Sequence, residues 1–216
     1  MSVVINERPA SQLTAEELEP WKEIPVSIAV DLEPTQQIDN AIRPVTFGDR
    51  PLRLFGPAAT VSCAVPDFGA VVHVLDHIQP GEVLAIAADG KLDVAVVGEI
   101  LGGHLRDIGC AGLVVDGVVR DIEALGDFAD FPVYARGVNP RGPSSALEGE
   151  INGAVSLGEC VVNPGDLIIG DRDGLVALPP ETVRARINDA KERIALEQQW
   201  IEGLKARKPV AEVFGL

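Results

Sequence analysis

Three places in the sequence combine residue type and spacing in ways that could do chemistry. The first is Gly98-Glu99-Ile100-Leu101, where the strand-like run Asp93 to Val97 gives way to Val97, Leu101, Leu105 and Ile108 at helical spacing. A glycine there lets a ligand approach the free N–H groups of a first helical turn, which attract a carboxylate or phosphate through their donors and the helix dipole. The same glycine would serve simply to end a strand, and no GxGxxG or GxxxxGK[ST] fingerprint accompanies it. The second is Arg120-Asp121, which follows the run Leu113 to Val119. Open α/β sheets bind ligands beyond the carboxyl ends of their strands, and Gly98 and Arg120 both fall at such ends. Plainer roles are a helix N-cap for Asp121 and a solvated pair with Glu123 for Arg120. The third is Glu197, a carboxylate on a seam whose other members, Val183, Ile187, Ala190, Ile194, Ile201 and Leu204, are apolar. A carboxylate in such a seam must be paired, solvated or bound to a cation.

Other polar groupings carry less. His73 and His77 are i, i+4 neighbours, as metal ligands often are, but this is not an HExxH arrangement and the only other histidine is His104. Asp171 and Asp173 resemble part of a calcium loop without its closing glutamate, and a tight hairpin at Asp173-Gly174 explains them better. Cys63, Cys110 and Cys160 form no CxxC pair and read as buried thiols.

The elements that must position these residues follow from the apolar pattern. Thr14-Ala15-Glu16-Glu17 is a capping signal for a short helix. Pro44 to Ala64 is β-like with Pro and Gly breaks, Pro66 to His77 is helix-like, and Val83 to Ala87 is a short buried strand. Asp93–Val97, the helix after Gly98, Leu113–Val115, a short helix over Asp121–Leu125 and Pro132–Ala135 make a strand–helix–strand–helix–strand unit, whose crossovers favour parallel pairing. Arg136 to Glu150 reads as loop. Cys160–Val162, Leu167–Ile169 and Leu175–Leu178 are closely spaced strands, the last two joined as an antiparallel hairpin. Pro179-Pro180 then opens a long helix with a seven-residue seam.

Composition limits the partners. Eighteen basic against thirty-three acidic residues give a net charge of −15, which argues against nucleic acid, since that affinity rests on neutralising phosphates. Nine aromatic residues leave little material for base stacking. No apolar run reaches membrane-spanning length and the first twenty residues lack a signal-peptide pattern, so a cytoplasmic protein without a membrane partner is expected. With 46% hydrophobic and 24% charged residues, 216 residues suffice for one core without staples.

Three ordered motifs carry a resemblance. Gly98-Glu99-Ile100-Leu101, then Gly109-Cys110-Ala111-Gly112-Leu113-Val114-Val115-Asp116-Gly117-Val118-Val119-Arg120-Asp121, then the run Asn163-Pro164-Gly165-Asp166 through Asp173-Gly174, closely resemble the RraA-like proteins and the class II 4-hydroxy-4-methyl-2-oxoglutarate/4-carboxy-4-hydroxy-2-oxoadipate aldolases, over roughly residues 25 to 205. The resemblance implies a compact α/β/β fold of the swivelling-domain type, assembled as a homotrimer or a dimer of trimers (a hexamer). It implies a divalent ion, Mg²⁺ or Mn²⁺, held by Asp121, with Arg120 against the oxygen of a 2-oxo acid substrate. The Gly98, Glu99, Ile100 and Leu101 turn would hold the pyruvate carboxylate, and Glu99 would reach the metal through water. A glutamate on the C-terminal helix of a neighbouring subunit would complete the site; Glu197 is the best match, with Glu192 on the same helix. In domain terms, residues 1–24 are a helical segment, 25–180 the catalytic α/β/β domain and 181–216 a helical arm packing on a neighbour.

The chemistry agrees with that implication. Retro-aldol cleavage of a 4-hydroxy-2-oxo diacid leaves a pyruvate enolate, stabilised by either a lysine Schiff base or a metal. The five lysines all lie outside the apolar strands, which favours the metal route with Arg120 as a fixed charge. The same enolate stabilisation would support oxaloacetate decarboxylation. A rival from another class is an RraA-type inhibitor that binds an RNA-degrading endonuclease; the Gly-Glu turn and the Asp after Arg120 favour the enzyme. A methyltransferase has no support, for want of a Gly-rich methyl-donor loop. The loop residues Asn139, Arg141 and Ser144 could read a distal carboxylate, or Arg141 could be a plain surface charge.

Overall fold

The computed structural model describes residues 2–9, 13–46, 52–128 and 130–216; part of the β-like stretch after Pro44 therefore lies outside the described residues. In chain order, β1 (Val3–Ile5), α1 (Ala15–Leu18), α2 (Val26–Leu32), β2 (Arg43–Pro44), β3 (Leu54–Ser62) and α3 (Gly69–His73) come first. Next come β4 (Val83–Ala87), β5 (Ala95–Val97), α4 (Glu99–Asp107), β6 (Gly112–Val119), α5 (Ile122–Gly126) and β7 (Val133–Val138). The last third holds β8 (Gly149–Ile151), β9 (Val155–Leu157), β10 (Cys160–Val162), β11 (Leu167–Gly170), β12 (Leu175–Leu178), α6 (Pro180–Lys205) and α7 (Val210–Phe214).

The centre is a mixed sheet in the order β1-β8-β3-β4-β6-β7-β2. Every residue of β4 and β6 is buried, as expected of parallel strands covered on both faces, and this is why both read as continuous apolar runs. β4, β5 and β7 all pair parallel to β6: β4 along its first half (Val83↔Gly112 to Ala87↔Asp116) and β5 along its end (Ala95↔Val118, Val97↔Val119). β5 thus takes up the flank of β6 where β4 leaves off. The strand–helix–strand–helix–strand unit forms as the apolar pattern requires, with α4 and α5 as its crossovers.

β3 divides its pairing along its length, and its last two residues also pair with β8. Its first half, Leu54–Pro57, pairs antiparallel with β11, and its second half, Ala58–Ser62, pairs parallel with β4. β11 in turn forms the expected antiparallel hairpin with β12. β10 pairs with β9, a strand that the sequence pattern hides because Val155–Leu157 is only three residues long between turns.

Three apolar clusters fill the layers. One lies between the sheet and α3, α4 and α5, around Val71, Leu105 and Leu125; a second joins the sheet to β9–β12, around Tyr134, Leu157 and Ile168. The third packs Trp21, Ile24 and Ile28 with Val183 and Ala190 of α6 over the outer side of the β11–β12 hairpin. The result is a mixed α/β fold with a central sheet, a β-hairpin and a long C-terminal helix. A buried Asp116 on β6 accepts from Gly158 N and pairs with Arg136, which also meets Asp39 at 2.6 Å, so ion pairs as well as apolar contacts fasten the second layer. All three cysteines are buried and free; burial pushes the Cys63 thiol up to about 12 and those of Cys110 and Cys160 up to about 11, so none is a poised nucleophile. No helix among the described residues is long and apolar enough to cross a membrane.

Candidate active site

The parallel pairing of β5 and β6 sets their carboxyl ends side by side, and the Arg120 N–H donates to Val97 O at 3.0 Å. The two turns beyond them, Gly98 into α4 and Arg120-Asp121 into α5, therefore meet. α4 and α5 approach closely because Gly102 has no side chain: a Cβ there would lie 2.4 Å from Leu125 Cδ2. Gly98 meets a similar limit, since its Cβ would fall 2.4 Å from Asp121 Oδ2 and 2.7 Å from Arg120 Cγ. The glycine is required for close approach and not for an unusual dihedral, its φ of −142° being ordinary extended backbone.

Asp121 occupies the N-cap position of α5 but does not cap it. Its backbone is left-handed (φ 55°, ψ 41°), and this turns the carboxylate across to α4, where Oδ2 accepts from the Glu99 N–H at 3.1 Å. A left-handed non-glycine residue costs of order 1 kcal/mol or more. The Arg120 Nε to Asp121 Oδ2 separation is 3.5 Å with both side chains about two-fifths exposed, an ion pair worth under about 1 kcal/mol. Stability alone does not account for the arrangement, because its cost and its return are of similar size. Its product is a partly exposed carboxylate whose Oδ1 accepts no hydrogen bond among the described residues.

Beside it lies a cleft of about 290 Å³ whose lining includes Phe68, Gly98, Ile100, Leu101, Arg120, Gly142 and Pro143. With the Glu99 N–H taken by Asp121, the Ile100 and Leu101 N–H groups are the donors left free in the first turn of α4. The Glu99 side chain is exposed, and Ile100 is 81% exposed. Gly98, Glu99, Ile100, Leu101, Arg120 and Asp121 are therefore brought together. Glu197 is not among them: within the chain it lies on α6, where Oε1 accepts from Arg193 Nε at 3.0 Å, and Arg193 also meets Asp31 and stacks on Trp200. The first half of the α6 seam is covered by α2, while Ile201 and Leu204 are exposed.

The loop after β7 closes the cleft, and the structure gives its polar residues fastening roles. Asn139 donates from Nδ2 to Leu92 O at 2.8 Å and accepts from the Arg141 N–H at 2.9 Å, and the Ala95 N–H donates to Arg141 O at 2.8 Å. Ser144 N–H donates to Pro66 O. Asp67, Phe68, Gly142 and Pro143 escape a reading for catalytic residue types, since only Asp67 is chargeable and it sits in what reads as the start of a helix. Burial alone would raise the Asp67 carboxyl, but donors from Ser145, Gly69, Leu147 and Glu148 outweigh it and hold the group well below the usual carboxylate range.

Among the described residues no three His, Cys, Asp or Glu side chains cluster as a complete metal cage. The single hard oxygen of Asp121, exposed and free to bind, fits Mg²⁺ or Mn²⁺, which keep several waters and take one or two protein carboxylates together with substrate oxygens.

Comparison with known proteins places the chain in a family. A protein of Halalkalibacterium halodurans provisionally named 4-hydroxy-4-methyl-2-oxoglutarate aldolase is 32% identical over 186 residues, covering 86% of this chain and 87% of the other. The RNA-processing inhibitor RraA from Thermus thermophilis superposes with a TM-score of 0.65 at 28% identity, over 73% of this chain and 93% of that one. An uncharacterized protein from Pseudomonas syringae shares the fold with a TM-score of 0.82 at 20% identity, covering 96% and 97%. Residues 27–177 match the family described as RraA-like, Aldolase/RraA, and the chain belongs to that family.

Proposed function

We propose that the protein is a divalent-metal-dependent lyase that cleaves 4-hydroxy-2-oxo diacids, such as 4-hydroxy-4-methyl-2-oxoglutarate or 4-carboxy-4-hydroxy-2-oxoadipate, to pyruvate and a second keto acid. The observation that carries this reading is the convergence of an unshared Asp121 oxygen, the Arg120 guanidinium and two free amides on the Gly98 turn. Similarity to the provisionally named aldolase supports it.

The Ile100 and Leu101 N–H groups take the C1 carboxylate of the substrate, aided by the positive end of α4. Arg120 lies where negative charge develops on the C2 oxygen, and its planar fork fixes that oxygen's direction. Asp121 would hold the divalent ion, which would supply Lewis-acid stabilisation of developing negative charge. Glu99, exposed on the same turn, would orient the water that takes the C4 hydroxyl proton. Phe68 and Pro143 shield the reacting carbons from bulk water. Oxaloacetate, which leaves the same enolate on losing CO₂, is a second substrate on this reading. Glu197 of a second copy of this chain would complete the site in a trimer or dimer of trimers.

The test is pyruvate release from a panel of 4-hydroxy-2-oxo acids with Mg²⁺ or Mn²⁺. Activity abolished by chelator and restored by metal is expected, and failure on every such acid, or indifference to chelator, rejects the proposal. A second reading, a regulator that binds an RNA-degrading endonuclease, is favoured by the 28% identity to RraA. Saturable binding and inhibition of such an endonuclease by a protein inert on the whole panel would establish that reading instead.

A further inference from the structure

Asp67 is only 5% exposed, yet it touches neither the Gly98 turn nor Arg120 through any described bond. Its two oxygens are occupied instead by one segment. Ser145 Oγ and the Leu147 N–H (2.9 Å) donate to Oδ2, while the Glu148 N–H (3.1 Å) donates to Oδ1. Oδ1 also accepts from the Gly69 N–H at 2.8 Å, in the first turn of α3. The carboxylate therefore ties the far limb of the loop 139–148 to α3. The near limb is tied separately, by Asn139 to Leu92 and by Arg141 O to Ala95.

Between the two ties lie Gly142 and Pro143, which wall the cleft. Gly142 presses on the guanidinium: a Cβ there would lie 2.4 Å from Arg120 Nη1. Arg120 is thus held between Asp121 on one side and the Gly142 backbone on the other. Phe68, the neighbour of Asp67, lines the same cleft and donates its N–H to Ser145 O at 3.0 Å. A buried carboxylate with four donors is costly to disturb, so the segment it grips is held to a narrow range of positions.

We infer that Asp67 is a positioning residue: by clamping residues 145–148 to α3 it sets the Gly142-Pro143 wall, and through that wall the direction of the Arg120 guanidinium. The effect on Arg120 rests on geometry alone, whereas the effect on ligand rests on the 2-oxo acid reading above.

Wild type, Asp67→Ala, Asp67→Asn and Ser145→Ala are compared as full chains whose fold is checked by circular dichroism. Two readouts are used: the phenylglyoxal labelling rate of Arg120, followed by peptide mass spectrometry without ligand, and the affinity for oxalate, an enolate-like dianion, in Mg²⁺. Loss of the clamp frees Arg120 from one wall, so Asp67→Ala is expected to label Arg120 about fivefold faster and to bind oxalate about tenfold more weakly, with Mg²⁺ affinity unchanged. Asp67→Asn, which keeps one acceptor oxygen, should fall between, and Ser145→Ala should move both readouts slightly in the same direction. If Asp67→Ala does not fold, the other two variants decide. Arg120 labelling at the wild-type rate in the folded variants overturns the inference, as does faster labelling with an unchanged oxalate affinity. A wild type that does not bind oxalate, with labelling that still responds to the variants, rejects the 2-oxo acid reading and leaves the positioning role standing.

Discussion

Asp121 carries a backbone strain and a charge, and the two can be separated by substitution. Asparagine tolerates the left-handed region about as well as aspartate, so Asp121→Asn keeps the turn and removes only the anion. We expect its thermal midpoint to stay within about 2 °C of wild type, since exposed pairs contribute little, while calorimetry shows Mg²⁺ affinity falling beyond detection. Wild-type metal affinity in this variant would remove Asp121 from the site. Gly98→Ala tests the close approach instead of the charge. A methyl group 2.4 Å from the Asp121 carboxylate must displace it, so metal affinity and turnover should fall together by about a hundredfold, the scale of a 1 Å misplacement. Kinetics at saturating Mg²⁺ would show whether the loss persists once metal occupancy is restored.

Among the elements, α1 is a single turn, and its place on α6 depends on charge. Its capping box is complete: the Glu17 N–H donates to Thr14 Oγ1 while Glu17 Oε2 accepts from the Thr14 N–H, and the same carboxylate pairs with Arg184. The Arg184 hydrogen bond, then the Thr14 backbone bond, lower the Glu17 carboxyl from 4.5 to about 2. A depressed carboxyl contributes stability that is present above the unfolded value and is lost as pH falls through the folded one. The stability difference between wild type and Glu17→Gln should therefore be nearly constant above about pH 5 and shrink steadily below it, with most of it gone by about pH 2, as read by urea unfolding across that range. The box was visible in the sequence because it is local, four residues long and chemically distinctive. So were β4 and β6, which are continuous apolar runs bounded by turn residues, and α4, whose apolar residues recur at helical spacing. The site glycine and the Arg-Asp pair were legible as strand ends for the same reason. What the sequence concealed depends on contacts between distant segments: the strand β9, the divided pairing of β3, the Arg136 link between Asp116 and Asp39, and Asp67. No local pattern marks an aspartate three of whose four donors lie some eighty residues away.

At the scale of the whole molecule, α6 raises the question of assembly. The first half of its seam is satisfied by α2 and the third cluster, but Ile201 and Leu204 stay exposed, although α7 folds back to pack Val213 on Gly203 and to set the Phe214 ring against Trp200, tilted, with centroids 5.0 Å apart. If Glu197 of one copy completes the Asp121 site of the next, two defective parents can rebuild it. Glu197→Ala and Asp121→Ala should each be weakly active alone, and co-refolded mixtures should recover part of the activity, because some interfaces pair both intact residues. No recovery in verified hetero-oligomers, or a monomer by light scattering, defeats the shared site. The divided pairing of β3 has a consequence for how the protein comes into being. A chain growing from the ribosome acquires β4, β6 and β7 early and can lay down the parallel half of its sheet. The first half of β3 must wait, because Phe55 meets Ile169 and its partner β11 is still unsynthesised. Until Leu167–Leu178 emerges, one face of the sheet stays uncovered and the edge of β3 stays open. The site's own strands are thus synthesised before the strands that seal the molecule, and the interval between the two is the period in which a nascent chain most needs protection from its neighbours.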